Sequence, residues 1–345
     1  MFGDLLLSSP FANAAVRLPT LSKIEAAFRK RYSPWGMAQK VAIMSPQLVV
    51  AWSGNYAVAR EVLREMKGSF GSRRISETEL NEFLAESGKR HPGEISLLGM
   101  LSLENSRIYQ CSYDAWGFQD QRFGFVRMAG SGRDAVARAL RSIQGFEETN
   151  NRAINPLEKA IGYSLTMAGY LQGHEISTAQ NFDEYYGAGY EIATPKDGCW
   201  VKVDDFLMIY WMAEEQVAGG VSIVPFPQRC IRAAYVDDIM TVRSLGIGDH
   251  GKIEDHVFPV PPVYRDLTTH EKQNPVTPDL NASWICHQFV VKRLDGTLSP
   301  RSRVTFSSNL ANSPLRLSWT GDQLEVVTAP GYFEVLRGYA QSPIV

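Results

Sequence analysis

Two short stretches contain residue types that could take part in catalysis or anion binding. Lys40 opens an apolar strand, Lys40-Val41-Ala42-Ile43-Met44, and a lysine at such a place either reaches solvent or pairs with an acid. Gly130-Ser131-Gly132 follows a strand-like run and precedes a helix, so its backbone N–H groups could face an anion at the helix N-terminus. Each stretch also has an ordinary structural interpretation, as a solvent-exposed lysine at a strand end and as a tight strand-to-helix turn.

The motifs of several well-known enzyme classes do not occur in the sequence. There is no Gly-x-Ser-x-Gly nucleophile elbow and no Ser-x-x-Lys at a helix start, and Gly130-Ser131-Gly132 lacks the further residues of a dinucleotide or phosphate-binding loop. The histidines His250, His256 and His270 lie among aspartates, but their spacing matches neither a helical turn nor a zinc finger. We therefore predict no metal and no bound cofactor.

Composition and charge exclude further classes of function. The chain has 345 residues, 44% apolar and 21% charged, a balance typical of a folded globular protein. A net charge of −2 argues against a nucleic-acid partner, because such binding needs clustered basic residues. The apolar run from Phe206 to Ala213 is far shorter than the roughly 20 residues of a spanning helix, so we expect no membrane insertion. The first residues lack a basic signal region, which predicts a cytoplasmic protein.

Apolar periodicity changes along the chain and predicts the order of helices and strands. A strand at Phe2 to Leu7 and a helix at Leu21 to Tyr32 precede a hairpin, whose strands at 40–44 and 48–52 are joined by a turn containing Pro46. Two helices follow: the first ends at Gly68, and the second begins at the capping box Ser76-Glu77-Thr78-Glu79. The remaining predicted elements up to residue 225 are strands at 95–103, 107–113 and 123–128, helices at 133–143 and 156–171, and strands at 187–194, 199–203 and 206–211.

The sequence changes character towards its C-terminal end. Gly246 to Pro278 is rich in proline and has few periodic apolar residues, which is typical of a linker or a long ordered loop. Alternating runs then predict a small β module, with strands at 284–294, 303–307, 315–319, 324–327 and 332–336. We therefore predict a domain over residues 1–225, a Pro/Gly-rich connecting segment over 226–282 and a β-rich module over 283–345.

The order of the motifs resembles the proteasome β subunit and its bacterial ring-protease relative, which are N-terminal-nucleophile hydrolases. The resemblance is carried by Gln39-Lys40-Val41 with its hairpin, by Val50-Ala51-Trp52-Ser53-Gly54-Asn55-Tyr56-Ala57, and by Met128-Ala129-Gly130-Ser131-Gly132 with the helix that follows. It covers about residues 1–225. It implies an α+β fold in the form of a four-layer α/β/β/α sandwich, here followed by the C-terminal β module.

The resemblance also implies a set of site residues. Asp4 matches the acid that pairs with the family's lysine, Lys40, which tunes the nucleophile. Gly54 matches the glycine whose backbone N–H forms the oxyanion hole, and Ser131 matches the serine beside the nucleophile's amine. Asp183 matches the acid of a further stretch, although Tyr186 stands where the family has serine.

The family's nucleophile is a Thr, Ser or Cys that begins a strand ahead of the acid matched by Asp4, which places it upstream of Met1. As the chain stands, we therefore expect it to be inactive, and three explanations stay open: a start recorded too late, a non-catalytic member, or a resemblance of fold alone. If the start is recorded too late, the resemblance implies threonine-type hydrolysis of peptide or amide bonds. The alternative is a non-catalytic assembly or interaction protein that uses the sandwich for self-association, and a homo-oligomer is expected in both cases.

Overall fold

The computed structural model describes residues 1–9, 16–20, 33–104, 107–121, 123–142, 155–178, 184–247, 252–307, 310, 313–320 and 323–341. Over these residues the chain is mixed α+β and mostly sheet. The predicted helix at 21–32 and the predicted site residue Asp183 lie outside them. Within the described ranges, no helix is both long enough and apolar enough to cross a membrane.

The elements follow one another in the order strands, two helices, strands, two helices, strands over the first part of the chain. The helices are α1 (Tyr56–Phe70), α2 (Glu77–Arg90), α3 (Arg133–Ser142), α4 (Pro156–Thr178), α5 (Thr269–Gln273) and α6 (Tyr332–Gln341). The strands are β1 (Phe2–Asp4), β2 (Leu6–Ser9), β3 (Ser33–Met37), β4 (Val41–Ser45), β5 (Leu48–Gly54), β6 (Ile95–Ser102), β7 (Ile108–Tyr113), β8 (Trp116–Asp120), β9 (Gly124–Met128), β10 (Tyr190–Lys196), β11 (Cys199–Lys202), β12 (Phe206–Glu215), β13 (Val221–Ile223), β14 (Arg229–Val236), β15 (Ile239–Ile247), β16 (Ile253–Val260), β17 (Trp284–Lys292), β18 (Leu298–Phe306), β19 (Leu315–Trp319) and β20 (Leu324–Thr328).

The antiparallel sheet β4-β5-β6-β7 packs against α1 and α2. The predicted β4–β5 hairpin is confirmed, and so is the capping box at Ser76 and Glu79. The predicted end of α1 at Gly68 is wrong: the helix continues to the buried Phe70, and Gly71 then donates its N–H to the Lys67 carbonyl. The burial of Phe70 in the core therefore extends the helix beyond Gly68, where the sequence predicts its end.

A larger sheet has the order β16-β15-β14-β12-β17-β18, with β13 paired to β12. Its central strands β12 and β17 run parallel from the pair Phe206–Trp284 to the pair Glu214–Lys292. Helices α3 and α4 share a hydrophobic core with this sheet. The small sheet β1-β10-β11 lies beside it, and Trp200 of this sheet packs on Val41 and Val49 of the β4–β7 sheet.

Two sequence-based expectations for the C-terminal part are wrong. The stretch Gly246 to Pro278 is not only a linker or loop, because it contains β16 and α5. The strand expected at 332–336 is helix α6, whose buried residues Tyr332, Leu336 and Ala340 recur every fourth position. The boundaries 1–225, 226–282 and 283–345 stay predictions, while the larger sheet takes strands from all three ranges.

Helix α6 is attached to the larger sheet through the buried His287. Trp211 Nε1 donates to His287 Nδ1 at 3.1 Å, and Tyr332 Oη lies 2.9 Å from His287 Nε2. Because an indole N–H can only donate, Nδ1 must be unprotonated and Nε2 must carry the hydrogen that it donates to Tyr332. Burial lowers the pKa of His287 from 6.5 to about 3, so the histidine stays neutral in the folded protein.

This histidine makes stability depend on pH. Between pH 6.5 and pH 3 the unfolded chain binds a proton at residue 287 that the folded chain does not, so stability falls as the pH falls. From pH 7 to pH 5 this group alone should remove about 2 kcal/mol from the free energy of unfolding. His287→Gln keeps an acceptor and a donor but cannot titrate. Urea denaturation at both pH values should show the larger loss in the wild type, and equal losses would contradict the assignment.

Candidate functional site

Lys40 and Asp4 form an ion pair next to the first residue of β4. Lys40 Nζ lies 2.8 Å from Asp4 Oδ1, and the two side chains are 13% and 20% exposed. The same carboxylate oxygen accepts from the backbone N–H of Leu6 at 3.0 Å and of Gly187 at 3.4 Å. The pairing that the family resemblance implies for these residues is therefore present, and its acid is held by backbone donors as well as by the lysine.

The position of Asp4 follows from the way β1 is held. Asp4 is paired with Tyr190 in the β1–β10 ladder, and Leu5 donates its N–H to the carbonyls of Gly187 and Gly189 at 3.1 and 3.2 Å. A Cβ on Gly3 would lie only 2.9 Å from Val41 Cγ2, so β1 approaches β4 closely at this glycine. The short strand thereby places its last residue within reach of Lys40.

Gly54 ends β5 with a backbone that favours glycine. Its φ is +107°, and a Cβ would lie 2.3 Å from the carbonyl oxygen of Glu94. The next residue, Asn55, donates its N–H to that carbonyl at 2.8 Å and caps α1. The strand end, the helix start and residue 94 therefore hold the backbone at Gly54 in one conformation.

The Gly-Ser-Gly turn is held against the same strand end. Gly130 has φ +87°, and a Cβ on it would lie 2.9 Å from Ser53 Cβ. Ser131 Oγ donates to the Tyr185 carbonyl at 3.0 Å. A Cβ on Gly132 would lie 3.0 Å from the ring of Tyr186. The turn thus brings residue 131 to the end of β5 and to the segment that follows residue 183.

One cavity of about 1080 Å³ is lined by Asp4, Lys40, Gly54 and Ser131 together. This volume is slightly above the roughly 300–1,000 Å³ typical of ligand pockets. Four of the five residues that the resemblance implies therefore line the same cavity. The fifth, Asp183, lies outside the described residues. Burial raises the pKa of the Tyr186 phenol, so this residue is neutral.

Apolar side chains of a helix and of a sheet both line the cavity. They include Tyr163, Met167 and Leu171 of α4 and Leu98 and Met100 of β6. Cys111 also lines the cavity, but burial raises the pKa of its thiol to about 12, so the nucleophilic thiolate is scarce near neutral pH.

Three residues of the cavity wall that sequence reasoning missed carry buried polar atoms. Gln110 Oε1, Arg127 Nε and Tyr190 Oη have no hydrogen-bond partner among the described residues. These atoms come from β7, β9 and β10, which are far apart in sequence, so no local motif could have marked them.

The described residues contain no group of three or more His, Cys, Asp or Glu side chains placed to hold a metal ion. Lys40 with Asp4, Gly54 and Ser131 instead supply a cation, a backbone segment in a fixed conformation and a hydroxyl. These are the components with which a protein stabilises a developing oxyanion and an ionised nucleophile.

The need for glycine at residue 54 can be tested against a matched position. Gly93 also has a positive φ, +73°, but a Cβ there would meet no atom within 4 Å. Gly93→Ala should therefore cost only the backbone strain, about 1–2 kcal/mol. Gly54→Ala should cost at least about 2 kcal/mol more, because the Glu94 carbonyl must also move. Urea denaturation of both variants measures the difference, and equal losses would show that the Glu94 contact does not constrain the strand end.

No protein-family model matches the chain, and the comparison with curated proteins finds no significant relative. The comparisons therefore assign no family and no activity. What the pocket does has to be inferred from the residues that line it.

Proposed function

We propose that the protein is an N-terminal-nucleophile hydrolase that cleaves amide or peptide bonds in the cavity lined by Lys40, Asp4, Gly54 and Ser131. The observation that carries this proposal is the Lys40–Asp4 ion pair at 2.8 Å, which lines the same cavity as Gly54 and the Gly-Ser-Gly turn. A partly buried ammonium beside an attacking group favours its ionised form. Preorganised donors stabilise the tetrahedral oxyanion.

The packing of the layers supports the corresponding fold. Helices α1 and α2 pack on the β4–β7 sheet, the other side of which meets β10 and β11 through Val41, Ala193 and Trp200. Helices α3 and α4 share a hydrophobic core with β10 and with strands of the larger sheet. We propose that this order is the four-layer α/β/β/α sandwich of N-terminal-nucleophile hydrolases, because each layer buries its apolar face on the next.

In the proposed reaction the nucleophile is a Thr, Ser or Cys at the start of a strand that precedes Met1 in the gene product. Its hydroxyl or thiol attacks the carbonyl carbon of the amide, and its own α-amine accepts the proton and passes it to the leaving amine. Water then hydrolyses the acyl-enzyme ester or thioester. Apolar residues of α4 and β6 line the cavity and supply apolar surface for the side chains of such a strand.

The enzyme proposal is tested on protein made from the native gene, including the sequence upstream of the Met1 codon. Intact mass should reveal a processed N-terminal Thr, Ser or Cys, and a β-lactone should label that residue. Lys40→Met should lower kcat/KM for a fluorogenic peptide amide by about 10²-fold or more, because the charge beside the nucleophile is lost. Lys89→Met, at an exposed lysine near the end of α2, serves as the control and should leave the rate unchanged. A product that begins at Met1 and resists the β-lactone would end the hydrolase proposal.

The alternative is a non-catalytic protein that assembles through the β8–β9 hairpin, and exposed aromatic side chains favour it. Trp116 is 45% and Phe125 is 48% exposed, and both lie on a sheet of only two described strands. Phe118, Val126 and Met128 of the hairpin pack on the core that α3 and α4 share, whereas Trp116 and Phe125 keep exposed apolar surface that a second copy of the chain would cover.

Self-association can be measured independently of activity. If the hairpin forms the contact, replacing both Trp116 and Phe125 by Ser should convert the oligomer to a monomer in sedimentation velocity. Val217→Ser removes another exposed apolar side chain, 91% exposed, and should leave the oligomer intact. A wild type that is monomeric at all concentrations, or a double variant that stays oligomeric, would rule out a contact through the β8–β9 hairpin.

A further inference from the structure

Gln39, the residue before Lys40, is buried and uses every polar group it has. It is 2% exposed. Its side-chain Nε2 donates to the carbonyls of Asp238 at 2.7 Å and Val260 at 3.0 Å, and its Oε1 accepts from Lys202 Nζ at 3.2 Å. Its backbone N–H donates to the Pro261 carbonyl at 3.0 Å, and its backbone carbonyl accepts from Trp52 Nε1 at 3.0 Å.

Most of these partners come from residues 226–282, beyond the part of the chain that resembles a hydrolase. Asp238 lies in the turn between β14 and β15, and Val260 and Pro261 lie at the end of β16. Gln39 and Pro262 also form an isolated parallel bridge. The Asp238 carboxylate is held in turn by Arg265 Nε at 3.0 and 3.1 Å, and Arg265 also pairs with Glu271.

The residues on either side of Lys40 are therefore fixed to different parts of the molecule. Gln39 is held by the β14–β15 turn and the end of β16, whereas the N–H of Val41 donates to Glu191 Oε1 at 2.6 Å. The Lys40 carbonyl accepts from the N–H of Trp52 at 3.0 Å. With its backbone held on both sides, the lysine has little freedom other than its side-chain rotamers, and its Nζ reaches Asp4.

We infer that Gln39 is the positioning residue for Lys40, and that through it Asp238, Val260 and Pro261 control the placement of the ammonium in the pocket. An apolar side chain of similar volume would fill the same space but would leave two carbonyls and the Lys202 ammonium without this partner. Buried polar groups that lose a partner pull the backbone towards new ones. The role in catalysis rests on the proposed hydrolase function, while the placement of Lys40 does not.

The placement is tested by the chemical reactivity of Lys40 in the full chain. Brief acetylation with acetic anhydride followed by peptide mass spectrometry gives the rate at Lys40 relative to the exposed Lys89 of the same sample. In Gln39→Met this ratio should rise by about threefold or more, the factor that corresponds to the loss of a weak ion pair. Gln288→Met is the matched control: Gln288 is 1% exposed and bonds through its amide to Cys286 Sγ and Ser302 Oγ, on a different strand.

A rise in Gln39→Met that is absent in Gln288→Met supports the positioning role, and equal ratios in both variants overturn it. If Gln39→Met does not fold, as judged by circular dichroism, Arg265→Met decides. It frees the Asp238 turn from a residue that is 31% exposed, and it should raise the Lys40 ratio. No change in Arg265→Met then overturns the inference.

Hydrolysis assays separate this inference from the proposed function. In an active enzyme, Gln39→Met should lower kcat and leave KM unchanged, because the amide lies behind the lysine and the charge acts on the reacting group. An inactive wild type with a raised Lys40 ratio in Gln39→Met would reject the hydrolase proposal and keep the positioning role. An active wild type with equal Lys40 ratios in all variants would support the hydrolase proposal and reject the positioning role.

Discussion

An ammonium group that is largely removed from water must keep an anion beside it, and the placement of Lys40 imposes this requirement on the strands around it. Without Asp4 the ammonium would lose the ion-pair partner that it has among the described residues, and a partly buried charge without a partner is destabilising. The acid comes from the first strand, which must lie against β4, and Gly3 makes that approach possible. The ladder between β1 and β10 then holds Asp4 in place. One ion pair thus ties together three strands from distant parts of the chain.

A second ion pair, between Lys202 and Glu191, holds the backbone at the start of β4. Lys202 pairs with Glu191, which is fully buried, and the two side chains also bind the backbone of Val41. Burial raises the pKa of Glu191 and lowers the pKa of Lys202, while their mutual attraction opposes both shifts. Removing one member of such a pair would leave a buried charge unpaired, at a cost of about 3–5 kcal/mol. The start of β4 is therefore supported by charges on two sides, of which only the Lys40–Asp4 pair lines the cavity.

The parts of the fold that the sequence predicted depend on local chemistry. The β4–β5 hairpin and the capping box at Ser76 follow from turn residues and side-chain caps that involve a few neighbouring positions. The parallel pairing of β12 with β17 joins segments far apart in sequence, and no local pattern specifies it. Helix α6 was mistaken for a strand, because a short apolar run does not reveal its period until its contacts are known.

The candidate site divides in the same way. Asp4, Lys40, Gly54 and Ser131 were proposed because the order of short motifs resembles a family, whereas Gln39 was noted only as part of one of those motifs and was given no role of its own. Its importance comes from Asp238, Val260 and Lys202, whose proximity is created by the tertiary fold. A glutamine before a strand has no distinctive sequence pattern, and only the carbonyls that surround its amide show what it holds.

The charge distribution in the cavity is an argument for the proposed catalytic use of this space over the proposed assembly. A surface that only buries another strand or subunit is depleted of charge at its centre, because charged groups there have to be desolvated. Here the Lys40–Asp4 pair remains partly exposed on the cavity wall, although apolar side chains could close the same gap between β1 and β4. Its partial exposure is useful to a reaction in which negative charge develops nearby, since a fixed cation then stabilises the transition state more than the ground state. The exposed aromatics that favour self-association lie on the β8–β9 hairpin, so the two uses do not compete for the lysine.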